Sequence, residues 1–282
     1  MKAELWFNWL MLAQVFVISG YFARRVRLRM AELLEIYPPR EYPKLYPHAI
    51  EHYQKGQKVF RCLNLGILLA GFGLVGVLWR SDAVRGWEHA VSTWYFLLQC
   101  LPFALLDWRA LRELKQMRDA RESSQRVATL ERRRWVSLLS PGLRVAVLLI
   151  FVAFVGFVAV VDGLDFPWFG GYWNVVGIAV LNLALAGWIA CLFYGRRPNP
   201  YQTDSDRRKQ LEMLAQLAAI TSIAATVFIA LSIGLAALDL RVYRGAAQSA
   251  YSIFLMSVWI RVYLAGAGNV EVYRTGVRSS EA

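Results

Sequence analysis

The 282-residue sequence is 57% hydrophobic and only 18% charged, with a mean hydropathy of +0.36, the composition of an integral membrane protein. A net charge of +12 would point a soluble protein toward nucleic acid. Here the Lys and Arg lie between apolar runs, where retention on the cytoplasmic side of a membrane accounts for them, so no nucleic-acid partner is implied.

A helix needs about 20 mostly apolar residues to cross the hydrocarbon core. Seven segments qualify: residues 5–23, 59–79, 90–107, 144–161, 172–194, 215–237 and 248–265, the last being the shortest. The first reads as an uncleaved helix, because no small-x-small cleavage site closes it before the arginines of residues 24–29. It should run on through Met30, Leu33 and Leu34 and stop at Tyr37-Pro38-Pro39. Tyr-Pro pairs at 37, 42 and 46 then make an extended stretch before His48 opens the next helix.

Further along, Trp108, Leu111, Leu114 and Met117 recur at i+3, with Arg109/Glu113 and Arg118/Glu122 at i+4. Residues 108–134 are therefore expected to form a basic amphipathic helix lying along the inner leaflet. Ser140-Pro141 reads as N-cap and first turn of the fourth segment. Thr203 and Asp206 make a capping box, so the sixth helix should start near Asp204 and project from the membrane. The outer turns each hold Asp and Gly: Asp82 to Gly86, Asp165 to Gly170 and Asp239 to Gly245.

Counted loop by loop, residues 24–58, 108–143, 195–214 and those after 265 carry 24 Lys and Arg, against 4 in the alternate loops. The positive-inside rule then places the three cytoplasmic segments 24–58, 108–143 and 195–214 and the C-terminus inside, and the N-terminus outside, a cytoplasmic (inner) membrane. The expected fold is all-α: a polytopic transmembrane bundle of about seven helices in one integral membrane domain over 1–282, readable as one helix plus three helical hairpins. Gly66/Ala70, Gly73 and Gly76, and the Ala-rich run 218–237, predict close helix packing.

Side chains that carry chemistry are sparse. Cys62, Cys100 and Cys191 sit in or beside apolar runs with no pair at a metal-ligand spacing, so neither a disulfide framework nor a zinc site is indicated. Arg61, Asp107, Arg144, Asp162, Asp239 and Arg261 fall within one or two turns of helix ends, where they anchor rather than relay protons. Neutral polar groups do occupy the middle: Gln14, Asn64, Gln99, Asn182, Thr226 and Ser257. They either hydrogen-bond helices together or line a solute path.

Outside the membrane, Asp162 and Asp165 stand beside the large aromatics Phe166, Trp168, Phe169, Tyr172 and Trp173, as a cation site or as part of an interfacial aromatic belt with Trp79, Trp87 and Trp94. His48 and His52, at i and i+4, suit a surface metal site or simply solvated positions. No nucleophile elbow, H-E-x-x-H or phosphate loop is present, no histidine lies deep in a helix to ligate haem, and no cofactor is expected.

Three classes of function follow: a small transporter or channel-like subunit, a scaffold or sensor docking a protein partner through its basic cytoplasmic loops, and an intramembrane enzyme. The expected surroundings are a lipid bilayer with an anionic inner leaflet. Transport requires Gln14, Gln99 and Asn182 on one water-accessible cavity, whereas a scaffold buries them in pairs.

Overall fold

The computed structural model describes residues 2–80, 86–120, 135–164, 169–195, 199, 201–265 and 270–274. The chain is all-helical. Helix α1 (Lys2–Gln14) passes through a π-helical stretch, Val15–Phe22, into α2 (Ala23–Ile36), and the three make a single rod. It stops where expected, the Tyr37 N–H closing on the Leu33 carbonyl at 3.0 Å ahead of Pro38. Then follow α3 (Ile50–Arg80), α4 (Glu88–Ala120), α5 (Pro141–Val161), α6 (Trp173–Tyr194), α7 (Asp204–Ala237) and α8 (Arg244–Leu264).

The rod and α3 to α7 are long and apolar enough to cross a bilayer, so this is an integral membrane protein with six candidate spans plus α8. One end of the bundle holds α2, the start of α3, the end of α4 and the start of α7; we call it the basic end, for its Lys and Arg.

Local caps fall where the sequence put them. The Ser140 hydroxyl accepts the Leu143 N–H at 3.3 Å with Pro141 at the first helical position, and the Thr203 hydroxyl accepts the Asp206 N–H at 3.2 Å. Helix α7 thus starts at Asp204, and its 34 residues make it about 51 Å long, well beyond the roughly 30 Å of a hydrocarbon core. Near its start the Arg207 guanidinium donates to the carbonyls of Leu192, Phe193 and Gly195 at 3.0 to 3.2 Å, capping the end of α6.

Two groups of helices share the core. The rod, α3, α4 and α8 pack around Ile18, Phe22, Phe60, Phe103 and Met256 at one level and around Met11, Val15, Val75 and Tyr95 at another. Helices α5, α6 and α7 pack around Phe154, Val158, Ile178 and Ala225. The groups meet along α7 and α8, where Phe228 stacks on Tyr251 with centroids 4.4 Å apart and the Trp259 indole donates to the Thr221 hydroxyl at 2.9 Å. In chain order the molecule does run as one rod and three hairpins. In packing, however, α5 leans chiefly on α7 rather than on its hairpin partner α6, and α4 chiefly on α8.

Helix α8, the weakest span by sequence, lies between the two groups of helices. It starts at Arg244, four residues before the expected position, and buries Ser249, Ser252, Met256 and Ile260 against the rod and α4. Its polarity is the reason: a helix surrounded by other helices can carry Ser and Gln that find partners, whereas one facing lipid cannot. Conversely α5 and α6, highly apolar, expose Leu148, Val152, Val180 and Leu183 to the lipid side. Away from the basic end, Trp79, Trp87, Trp94 and Trp173 are all exposed, the arrangement of an interfacial belt.

Two expectations are corrected. Residues 108–120 do not form a separate helix along the leaflet; they continue α4 without a break, with Trp108 and Leu111 exposed and Met117 buried, while residues 121–134 lie outside the described part. The i+3 apolar spacing marked a helix face, but it could not say whether the chain bends after Asp107. Nor do Gly66, Gly73 and Gly76 mediate tight packing: a Cβ on any of them would meet nothing. The close approach is at Gly71, where a Cβ would lie 2.7 Å from both the Tyr95 ring and Val15.

Gly71→Ala should therefore destabilise the detergent-solubilised protein by about 1–3 kcal/mol, the usual cost of overpacking. Gly73→Ala and Gly76→Ala should be neutral or slightly stabilising, since a helical glycine gives way to a better helix former. Thermal melts of the three variants side by side check this, and equal melting temperatures would place the helix contact elsewhere.

Candidate functional site

Where the rod changes from α to π, Gln14 is fully buried and points into a polar cluster shared by three elements. Its amide nitrogen donates to the Gln99 side-chain oxygen at 3.0 Å, and its oxygen accepts the Ser92 hydroxyl at 2.9 Å. Gln99, 1% exposed on α4, donates to the Gln14 backbone carbonyl at 3.2 Å and to the Ser19 hydroxyl at 3.0 Å. Ser92 also pairs with Ser249 of α8 at 2.9 Å, and the Tyr95 hydroxyl donates to the Ile67 carbonyl of α3 at 2.8 Å.

The local sequence explains how these groups converge. Ser92, Tyr95, Gln99 and Phe103 recur at i, i+3, i+7 and i+11, one face of α4, and all four are buried. On the rod, Gln14 and Ser19 are five residues apart, the repeat of a π turn, so both face Gln99. Such π turns recur at functional sites.

Of the six polar residues marked by sequence, Gln14 and Gln99 are thus brought together. Asn182 lies in the other helix group, its side-chain oxygen accepting the Ser222 hydroxyl. Thr226 and Ser257 bond back to carbonyls of their own helices, at Ser222 and Ile253. Asn64 does the same with its nitrogen, to Phe60 at 2.8 Å, leaving its buried oxygen without a partner among the described residues. Ser19, Ser92 and Ser249 were missed. Small hydroxyls inside apolar runs carry little signal of their own, and only their register with Gln14 and Gln99 singles them out.

Two cavities follow the α6–α7 seam end to end. One, of about 390 Å³, lies toward the end opposite the basic one, between Trp173, Leu181, Phe228 and Tyr251. The second, of about 190 Å³, opens toward the basic end between Trp135, Arg144, Asn182 and Ser222. Gln14 and Gln99 line neither. At the far end Asp162 is exposed and ends α5, and Asp165 lies outside the described residues. Asn174 there donates to the carbonyls of Phe169 and Gly171, stapling the start of α6.

At the basic end the Tyr-Pro segment packs against Tyr201 and a short turn near the C-terminus. Tyr37, Tyr42, Tyr46 and Tyr201 gather with Val270 and Tyr273 of a short C-terminal 3-10 turn, Val270–Tyr273. The Tyr37 and Tyr42 rings meet edge to face at 5.3 Å, Tyr201 and Tyr273 at 5.6 Å. Asn199 bridges the set, donating to the Tyr273 hydroxyl while accepting the Tyr201 N–H at 3.0 Å. Burial pushes the Tyr273 phenol above its ordinary 10.0, with the Asn199 hydrogen bond acting the other way, and burial raises Tyr46 likewise. Sequence gave no hint of the C-terminal turn.

Beside this cap His48 bonds Gln116 at 2.7 Å, and the His52 ring lies 3.6 Å from the Glu113 carboxylate. These contacts tie the start of α3 to the end of α4. Among the described residues no three His, Cys, Asp or Glu side chains converge as metal ligands would.

The chain matches no protein-family model, and no curated protein or solved structure proves similar to it. The site must be read from its own geometry.

Gln14→Leu or Gln99→Leu alone should cost about 1–3 kcal/mol, because each strands its partner's amide in a buried site. The double variant should lose clearly less than the sum, since both polar groups then go together. A double-mutant cycle in unfolding equilibria measures the coupling, and strict additivity would separate the pair.

The cap should come apart at alkaline pH. Because the folded pKa of Tyr273 is raised, the folded state holds a proton that the unfolded state gives up near 10; its contribution is whole below pH 10 and falls as pH rises beyond it. Hydrogen exchange of residues 270–274 followed from pH 8 to 11 should show protection lost above 10, less steeply in Tyr273→Phe. A flat profile would contradict the burial argument.

Proposed function

We propose that the protein is a membrane-embedded scaffold or sensor subunit that presents a folded docking cap at its basic end, oriented to the cytoplasm of an inner membrane. The observation that carries this reading is the pairing of Gln14 with Gln99 inside a buried cluster, with Asn182 in the other helix group. A solute path through the middle would have turned these three toward one water-filled space. The cap supports it further, because ordering three distant chain segments costs conformational entropy that a merely connecting loop has no reason to meet. The 24-to-4 distribution of Lys and Arg supports the orientation.

A transporter reading keeps one specific observation in its favour, the two cavities in line along α6 and α7. In that case the path runs along the Asn182 seam and not past Gln99.

Cysteine accessibility separates the readings. In a version with Cys62, Cys100 and Cys191 replaced, Gln99→Cys should resist small hydrophilic thiol reagents from both sides. Gly163→Cys should label from outside, and Ser205→Cys only from inside. Labelling of Gln99→Cys would defeat the sealed scaffold, Asn182→Cys reacting from both sides would favour transport, and external labelling of Ser205→Cys would invert the orientation.

A further inference from the structure

The cavity at the basic end has the chemistry of a ligand site. Its mouth is formed by Trp135, on a 3-10 turn (Trp135–Leu138), and by Arg144, one turn into α5. Arg144 is exposed, and no carboxylate pairs with it among the described residues. The first turn of α5 adds its own partial positive charge.

Inward from the mouth the walls are apolar: Val147, Leu185 and Ile189 face Ala215, Ala218 and Ala219. The alanines create the space, since their short side chains leave open what a leucine would fill. The floor is polar again. The Asn182 oxygen accepts from Ser222, and its amide nitrogen has no partner among the described residues. From Ala215 to Ser222 the slot runs along seven residues of α7, about 10 Å.

We propose that this slot binds a single-chain organic anion. A carboxylate or phosphate sits on Arg144, an aliphatic body of about 10 Å lies along the alanine wall, and an oxygen at the far end accepts a hydrogen bond from Asn182. The polarity sequence selects this class. A neutral hydrocarbon leaves Arg144 and Asn182 unused, and a two-chain phospholipid exceeds a cavity of about 190 Å³. The site is independent of the scaffold reading, because it uses none of the Gln14–Gln99 cluster and none of the tyrosine cap.

The test is equilibrium dialysis of labelled octanoate, 8-hydroxyoctanoate and octanol against the full chain in nanodiscs of zwitterionic lipid, with empty discs as baseline. Saturable uptake near one equivalent is expected for both acids, tighter for the hydroxy acid, and none above baseline for octanol. Arg144→Gln should weaken both acids about tenfold, the loss of one charge-assisted hydrogen bond. Asn182→Leu should erase only the preference for the hydroxy acid, and Ala219→Phe, which fills the slot, should abolish saturable uptake.

Melting temperatures establish that each variant is folded, and Val147→Phe replaces Ala219→Phe if the latter is not. No saturable uptake, equal uptake of octanol and octanoate, or uptake unchanged by Arg144→Gln and by the filling variant would each overturn the proposal. A hydroxy-acid preference that survives Asn182→Leu would overturn the assignment of the floor.

Discussion

Inside a bilayer there is no water to satisfy a polar group, so a hydrogen-bonding atom that a helix carries into the hydrocarbon is costly unless it finds a partner on another helix or on its own backbone. The Gln14–Ser92–Gln99–Ser19 cluster is where this constraint acts most sharply here. It locks the rod to α4 at one rotation and one depth, since any shift would strand two amides, and Ser249 brings α8 into the same lock. The π turn belongs to this arrangement: it resets the phase of the rod so that Gln14 and Ser19 face the same partner. Tight packing at Gly71 against Tyr95 and Val15 becomes possible only once that register is set.

From this lock the remaining architecture follows in layers. Helix α8 is held on one side by the rod and α4 and on the other by α7, and so it becomes the bridge between the two groups of helices. The second group is built differently. Its core is aliphatic and aromatic, its polar contacts are few, and the small side chains of α7 leave room rather than closing it. A packed interior prefers to have no voids. Along the α6–α7 seam the short side chains of α7 leave such voids, and the two cavities described above lie there.

The tyrosine cap shows a separate solution for the water-exposed part. Proline after Tyr37, Tyr42 and Tyr46 forbids a regular helix there, so the segment is held by ring edges and by the Tyr42 hydroxyl, which donates to the Glu271 carboxylate, instead of by a backbone ladder. Aromatic rings bury much area with few rotatable bonds, which suits a small cap with little chain to spend. Beside the cap, Arg207 holds the end of α6 and the Thr203 capping box starts α7.

The sequence by itself determined what depends on composition and local chemistry. Membrane class, all-helical fold, the six apolar spans, the stop at Tyr37 and the caps at Ser140 and Thr203 were legible because each rests on neighbours in the chain. Gln14 and Gln99 were legible as unusual, polar groups where lipid forbids them. Which residues they meet was not, because Gln14 and Gln99 lie 85 positions apart and equally polar Asn182 finds Ser222 instead. Tertiary structure also decided that α8, least apolar of the seven, bridges the two groups of helices, that Gly71 and not its neighbours is the close contact, and that α4 continues as a helix past Asp107. The physical reason is common to all of these: hydropathy reports whether a helix enters the membrane, while the face it turns inward is chosen by the helices around it.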